Sequence, residues 1–190
     1  MKSEKQKMLS GELYNAQDEE LIKERVRARF LLKKLNDLPE DQAKERKQIL
    51  NELISESGKN LQIQPPFYCD YGYNIEIGDD VFFNFNCVVL DVVRVKIGNR
   101  VLFGPNVQIY TATHPLNHGE RAAGLESGQP ITIGDDVWIG GSAIINPGVE
   151  IGDRTVIGAG SVVTKNVPAD VFAAGNPCKV IRNLKSQSDK

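Results

Sequence analysis

No stretch of the 190 residues holds the roughly 20 consecutive apolar side chains that a membrane-spanning helix needs. A large excess of one charge is also missing. The chain has 23 Lys and Arg against 25 Asp and Glu, a formal balance of -2 with a pI of about 5.8. That balance excludes broad electrostatic capture of nucleic acid or of an anionic membrane. Cysteine is scarce. Cys69, Cys87 and Cys178 form no CxxC pair and are odd in number, so neither a disulfide framework nor a structural zinc site is expected. Histidine is scarcer, with His114 and His118 alone, whereas a zinc hydrase needs about three well-placed ligands. The opening Met1 to Ser10 is polar and lysine-rich, without the apolar core of a secretory signal, and the expected location is the cytoplasm. P-loop and Rossmann glycine turns are absent as well.

What is present falls into two textures. In residues 1–58, Asp18 to Asn36 sets Leu21, Ile22, Val26, Phe30, Leu31 and Leu35 among charges at helical spacing. Asp18 is the expected N-cap, with Glu19 and Glu20 in the first turn. Asn36 to Pro39 breaks this helix. A second is expected over Glu40 to Ser57, with Ala43, Ile49, Leu50, Leu53 and Ile54 inward and Gly58 as its stop. Such a hairpin either packs passively on the main body or takes part in binding.

From Gly72 onward the chain repeats every six residues. Ile133, Ile139, Ile145, Ile151, Ile157 and Val163 follow one another at that interval, and Ile77, Phe83, Val89 and Ile97, Phe103, Ile109 keep the same register. The following positions are mostly small: Gly78, Gly98, Gly134, Gly140, Gly152 and Gly158. A period of six fits a parallel β-helix, in which each hexapeptide forms one face of a triangular coil and eighteen residues complete a turn. The aliphatic positions then stack inside the prism, and the small residues are expected at corners that demand unusual backbone angles. The repeat breaks twice. Val89 to Ile97 spans eight residues, two more than the period, and Ile109 to Ile133 spans 24, so a loop of about eighteen is extruded within 111–130. That loop carries both histidines.

The motifs Asn84-Phe85-Asn86, Gly104-Pro105-Asn106-Val107, Thr113-His114-Pro115, Asn146-Pro147-Gly148-Val149 and Ala174-Gly175-Asn176-Pro177-Cys178, with the leader Met8-Leu9-Ser10-Gly11-Glu12-Leu13-Tyr14, resemble the maltose/galactoside O-acetyltransferase family over almost the whole chain. The resemblance implies a mainly β fold: a left-handed parallel β-helix over 59–183 with an N-terminal helical segment over 1–58, an extruded loop and a polar tail over 184–190. It also implies acetyl transfer from acetyl-CoA to a sugar hydroxyl, without a metal, in a homotrimer whose active sites lie between subunits.

By this resemblance His114 is the general base. Free imidazole titrates at about 6.5, which suits removal of a hydroxyl proton at neutral pH. Pro115 also restricts the backbone of His114 to extended conformations. His118 is read as ancillary. Asn84 matches an acceptor-contacting asparagine, although asparagine is also at home in left-handed corners. Asp70 and Asp91 fall where the family places acceptor-contacting polar residues. Glu126 either binds acceptor hydroxyls, orients His114 or is a solvated loop carboxylate. For the coenzyme, Trp138 is expected beside the pantetheine arm, Gly140, Gly141 and Ala159 along its groove, Thr164 and Lys165 at its nucleotide end, and Lys179 and Arg182 near its phosphates. Other readings on the same scaffold are a xenobiotic or amino-acid acceptor, or a trimeric binding module without catalysis.

Overall fold

The computed structural model describes residues 1–54 and 56–184. Most of the polar tail expected over 184–190 therefore lies outside the described residues. Three parallel sheets form the sides of a prism. The first side stacks Glu56–Ser57, Ile75–Ile77, Val95–Ile97, Ile131–Ile133 and Glu150–Ile151. The second stacks Gln62–Ile63, Phe82–Phe83, Leu102–Phe103, Trp138–Ile139, Val156–Ile157 and Val171–Ala174, and is closed by the antiparallel strand Lys179–Asn183. The third stacks Phe67–Cys69, Cys87–Leu90, Gln108–Tyr110, Ile144–Ile145 and Val162–Val163. Coiling starts earlier than the sequence suggests, because Glu56–Ser57 already pairs with Ile75–Ile77.

The six-residue register holds. Ile77, Ile97, Ile133 and Ile151 are successive partners on the first side, and Val89, Ile109, Ile145 and Val163 on the third. On the second side Phe83 stacks on Phe103 with ring centroids 4.2 Å apart, and Ile139 and Ile157 continue the column. Each coil donates its N–H groups to carbonyls of the next, as in Phe82 N–H to Val101 O at 3.0 Å and Leu102 N–H to Val137 O at 2.9 Å.

The corners differ from the expectation in one respect. Left-handed backbone occurs three positions after the aliphatic, not one. Asn60, Asp80, Arg100, Asp136, Arg154 and Asp170 all take φ between 54° and 60° at the corner leading to the second side. The glycine directly after each aliphatic is needed for close approach instead. A Cβ on Gly98 would meet the carbonyl carbon and oxygen of Gly134 at 2.7 Å, as well as the Asp135 carboxylate. That carboxylate belongs to a second ladder. Asp79, Asn99, Asp135 and Asp153 accept the N–H groups of Lys59, Asp79, Asn99 and Asp135 at 2.7, 2.9, 2.8 and 2.9 Å. Outside it, Arg100 pairs with Asp136 and Arg154 with Asp170, each with Nε to carboxylate at 2.6 Å.

The N-terminal segment closes the base of the prism. Helix α1 (Glu4–Leu9) starts with a capping box in which Ser3 and Gln6 exchange bonds. Helix α2 (Glu19–Asp37) is capped by Asp18 as expected. Helix α3 covers Ala43–Leu53, shorter than expected, and Ala43 is exposed rather than inward. The apolar stripe read on α2 is in fact two. Leu21, Ala28, Leu31, Leu32 and Leu35 are buried, while Ile22, Val26 and Phe30 are 37%, 42% and 66% exposed. Asn36 pins the end of α2 to the first coil by exchanging two hydrogen bonds with the backbone of Phe67 at 2.9 and 3.0 Å.

Two predictions follow from this stacking. Gly98→Ala forces two coils apart and should cost about 2 kcal/mol, read as a lower midpoint in denaturant. The Asn99 backbone N–H holds Asp135 below its usual range, and Arg100 and Arg154 do the same to Asp136 and Asp170. A depressed carboxylate stabilises the fold above its unfolded value of about 4 and loses that contribution as pH falls through its folded value. Melting temperature should therefore drop on acidification below about pH 4, and neutralising the three acids together should flatten that drop.

Candidate active site

Two-residue insertions and the long loop all fall on the corner between the third and first sides. Cys69 to Ile77 and Val89 to Ile97 are in register and each is eight residues long, and the 111–130 excursion lies directly above them. The corner is therefore flared in the first three coils, whereas Ile145 to Ile151 above them keeps the plain six-residue interval. Asp91 holds the flare together. Its side chain is fully buried, and its carboxylate accepts the N–H groups of Asp70, Tyr71 and Gly72 at 2.9, 2.9 and 2.7 Å. Burial pushes its pKa up to about 7, against the pull of those backbone donors. The expectation that Asp91 touches the acceptor is therefore corrected: its oxygens are spent on the coil below.

The extruded loop is ordered by a small sheet outside the prism. Ala112–Thr113 pairs antiparallel with Leu125–Gly128, which pairs in turn with Tyr14–Asn15 of the leader. Between them lies the short helix α4 (His118–Ala122), capped by the Asn117 side chain. His114 follows directly after Thr113, and its Nδ1 lies 3.3 Å from the carbonyl oxygen of Leu125. A carbonyl only accepts, so this bond requires the proton on Nδ1, and in the neutral ring Nε2 then holds the lone pair. His118 is exposed at the start of α4, away from this arrangement.

His114 faces a cavity of about 460 Å³ that is also lined by Asp70, Glu126, Tyr14, Arg25 and Arg29, with Ile22, Val26 and Val92 as its apolar wall. Three sequence candidates, His114, Asp70 and Glu126, thus meet in one place. Burial raises the Asp70 pKa, and the charge of Glu126 adds to this, while Arg25 and Arg29 oppose both. Arg25 is fixed by bonds to Tyr71 Oη at 2.7 Å and Ala16 O at 2.5 Å. The sequence reading missed Tyr14, Arg25 and Arg29. The available signal was the second, outward apolar stripe on α2, which ends against this cavity.

The remaining candidates lie elsewhere on the chain. Asn84, Gly104, Gly140 and Gly158 form one column at the corner between the second and third sides, each donating its N–H to the coil above. Asn84 is not left-handed; Asn86 and Asn106 take those angles, so backbone conformation does not explain Asn84. Its Oδ1 accepts the Phe85 N–H at 2.8 Å, which directs the amide. Gly140 is held by the stack itself. A Cβ there would meet Ala159 N at 2.5 Å, and its N–H is committed to Ile157 O at 2.7 Å. Of the glycine pair, Gly141 is the one whose N–H the coil ladder does not use. Ala159 is exposed beside it.

Trp138 stands 54% exposed on the second side, between Leu102 and Val156. Lys179 and Arg182 are exposed on the closing strand of that side, with Arg182 5.8 Å from the Phe172 ring centroid. Thr164 and Lys165 are exposed at the flared corner, above the loop. A single chain therefore separates His114 from Asn84 and Trp138 by a full prism side. Among the described residues no group of three or more His, Cys, Asp or Glu is placed to hold a metal ion, and no helix is long and apolar enough to cross a membrane.

Comparison with known proteins fits this architecture. Residues 7–58 match the maltose acetyltransferase hexapeptide capping motif, and residues 130–165 match the bacterial transferase hexapeptide (six repeats). The galactoside O-acetyltransferase of Escherichia coli K12 is 41% identical, over 96% of this chain and 90% of its own length. A maltose O-acetyltransferase structure from Clostridium difficile 630 superposes with a TM-score of 0.96 at 49% identity, covering 97% of this chain and 99% of the other. A hexapeptide-repeat acetyltransferase from Vibrio cholerae, solved with acetyl coenzyme A, gives 0.90 at 43% identity, over 97% of this chain and all of the other. The chain belongs to the maltose/galactoside O-acetyltransferase family and is an acetyl-CoA-dependent acetyltransferase on a left-handed parallel β-helix.

Proposed function

We propose that the acceptor is a sugar of the maltose, glucose or galactoside type, that His114 is the general base, and that the enzyme works as a homotrimer with sites between subunits. The observation that carries the reading is His114 with Nδ1 bonded to the Leu125 carbonyl, beside a cavity that pairs carboxylates with guanidinium groups. Hydroxyl groups both donate and accept, so a polyol is served by Asp70 and Glu126 as acceptors and by Arg25 and Arg29 as donors.

In this reading His114 Nε2 removes the proton as the sugar oxygen attacks the acetyl carbonyl. The C–O bond forms, the C–S bond breaks, and the proton returns from the imidazole to the departing thiolate. The Gly141 N–H is the donor for the oxyanion, a role in which one hydrogen bond is typically worth about 3 kcal/mol. Lys165, Lys179 and Arg182 meet the anionic end of the coenzyme, and Trp138 packs along its arm.

Chemistry on the outer prism sides supports the trimer. The first side presents Glu56, Glu76, Lys96, Thr132 and Glu150 outward. The second presents Gln62, Phe82, Leu102, Trp138, Val156 and Phe172, and the third Tyr68, Val88, Gln108, Ile144 and Val162. Phe85 is half exposed at the corner between those two apolar sides. Mostly apolar sides of this extent mark an interface. Packing them against a neighbour brings the Asn84 and Trp138 set of one chain toward the His114 corner of the next. The cytoplasm, which supplies acetyl-CoA and keeps the three free cysteines reduced, is the compartment this reading fits.

His114→Ala should lower acceptor-dependent thiol release by about two to four orders of magnitude while leaving coenzyme binding intact. Near-normal turnover would remove the base assignment. A panel of sugars, amino acids and non-sugar alcohols separates the acceptor classes in the same assay. Co-expressing His114→Ala with Asn84→Ala tests the shared site. Mixed trimers regain activity when each site draws those residues from different chains, and stay inactive when one chain supplies both.

A further inference from the structure

Tyr14 belongs to the leader, about 100 residues before the histidine loop, yet it reaches into the acceptor cavity. Its backbone pairs directly with Glu126, and the neighbouring Asn15 pairs with Leu125. The side chain is 1% exposed, and its hydroxyl donates to Glu126 Oε2 at 2.9 Å. Burial, reinforced by the charge of Glu126, raises the Tyr14 pKa, so the phenol stays protonated and remains a donor. Among the described residues Glu126 Oε1 has no hydrogen bond, and the residue lines the cavity together with Asp70 and His114.

Glutamate is a flexible side chain, and this one faces competing charges. Asp70 repels it across the cavity, and Arg25 and Arg29 of α2, which act on Asp70, line the same cavity. Without a tether the carboxylate would sample several rotamers, some of them folded onto a guanidinium group. One charge-assisted bond from a buried phenol restricts it.

We propose that Tyr14 is a positioning residue for acceptor recognition: its hydroxyl locks the Glu126 carboxylate so that Oε1 stays open to an acceptor hydroxyl beside His114. The bond exists before any acceptor enters, so it preorganises the site rather than stabilising the transition state alone. This inference rests on the sugar-acceptor reading above. It goes beyond it by giving the leader a part in specificity that the hexapeptide coil does not contain.

The test is Tyr14→Phe, which removes one oxygen and keeps the buried ring. KM for maltose or the best sugar of the panel should rise about tenfold, the worth of one hydrogen bond to a charged group, with kcat and the acetyl-CoA KM within about twofold of wild type. Glu126→Gln should show a similar rise, and the double variant little more than either, because both substitutions break one unit. An unchanged sugar KM in Tyr14→Phe, or fully additive losses, overturns the proposal. A lower melting temperature together with an equal fall in kcat also overturns it, since that pattern means the hydroxyl only holds the leader in place. Wild-type protein that releases no thiol with any sugar defeats the acceptor reading instead, and the two failures are thereby distinguished.

Discussion

Everything in this molecule depends on how closely one coil can sit on the next. The backbone N–H groups of each turn reach carbonyls of the following turn at 2.7–3.0 Å along the second side, and that spacing holds only where nothing stands between the coils. Gly78, Gly98 and Gly134 supply the clearance at one corner, and Gly104, Gly140 and Gly158 at another. Once the stack is fixed, every inward aliphatic meets its counterpart one coil away, and dispersion and burial follow along the axis. The same clearance also fixes the outer surface. Two sides left mostly apolar and one polar are the direct result of which alternate residues face out.

A stack this regular leaves only open grooves on its sides, and the cavity beside His114 comes from a departure from it. The departure is confined to one corner. Short insertions in two successive coils widen it, Asp91 ties the widened backbone down, and the long loop then leaves the prism above that base. Catalytic loops on rigid scaffolds usually gain accuracy from the scaffold alone. Here the loop is held from both sides, by the coil beneath Thr111 and by the leader strand Tyr14–Asn15 across Leu125–Gly128. The Leu125 carbonyl that sets the His114 tautomer belongs to that doubly held strand.

The sequence made the prism legible because a period of six leaves a trace at every turn: Ile133 through Val163 are each an inward residue of a real strand. The sizes of the insertions were legible for the same reason, since an eight-residue interval in a six-residue repeat has to bulge. Side-chain commitments across coils were not. Asp91 reads as a polar residue near a loop, and only the third dimension shows the backbone of Asp70 to Gly72 folded around its carboxylate. Asn84 reads as either corner chemistry or function, and the left-handed angles at Asn86 and Asn106 remove only the first explanation. The stripe on α2 misled because two apolar faces, one toward the core and one toward the cavity, overlap in a single helical projection. Tyr14 was legible as the last residue of the leader motif, but its pairing with Glu126, more than a hundred positions away, was not.

These observations give the N-terminal segment a definite place. It covers the open end of the prism through Leu31, Leu35 and Leu53, which any apolar lid could do. It also builds a second, smaller core from Met8, Tyr14, Leu21, Tyr71 and Val92, which sits under the His114 cavity rather than under the prism. Arg25 reaches Tyr71 from the same helix. A passive lid has no need of a core there. In the proposed reading the coil furnishes the frame and the coenzyme side, while the leader and α2 furnish the wall that an acceptor would meet. Acceptor preference can then change through substitutions in the N-terminal segment without disturbing any rung of the coil, because none of Tyr14, Arg25 and Arg29 takes part in the stack.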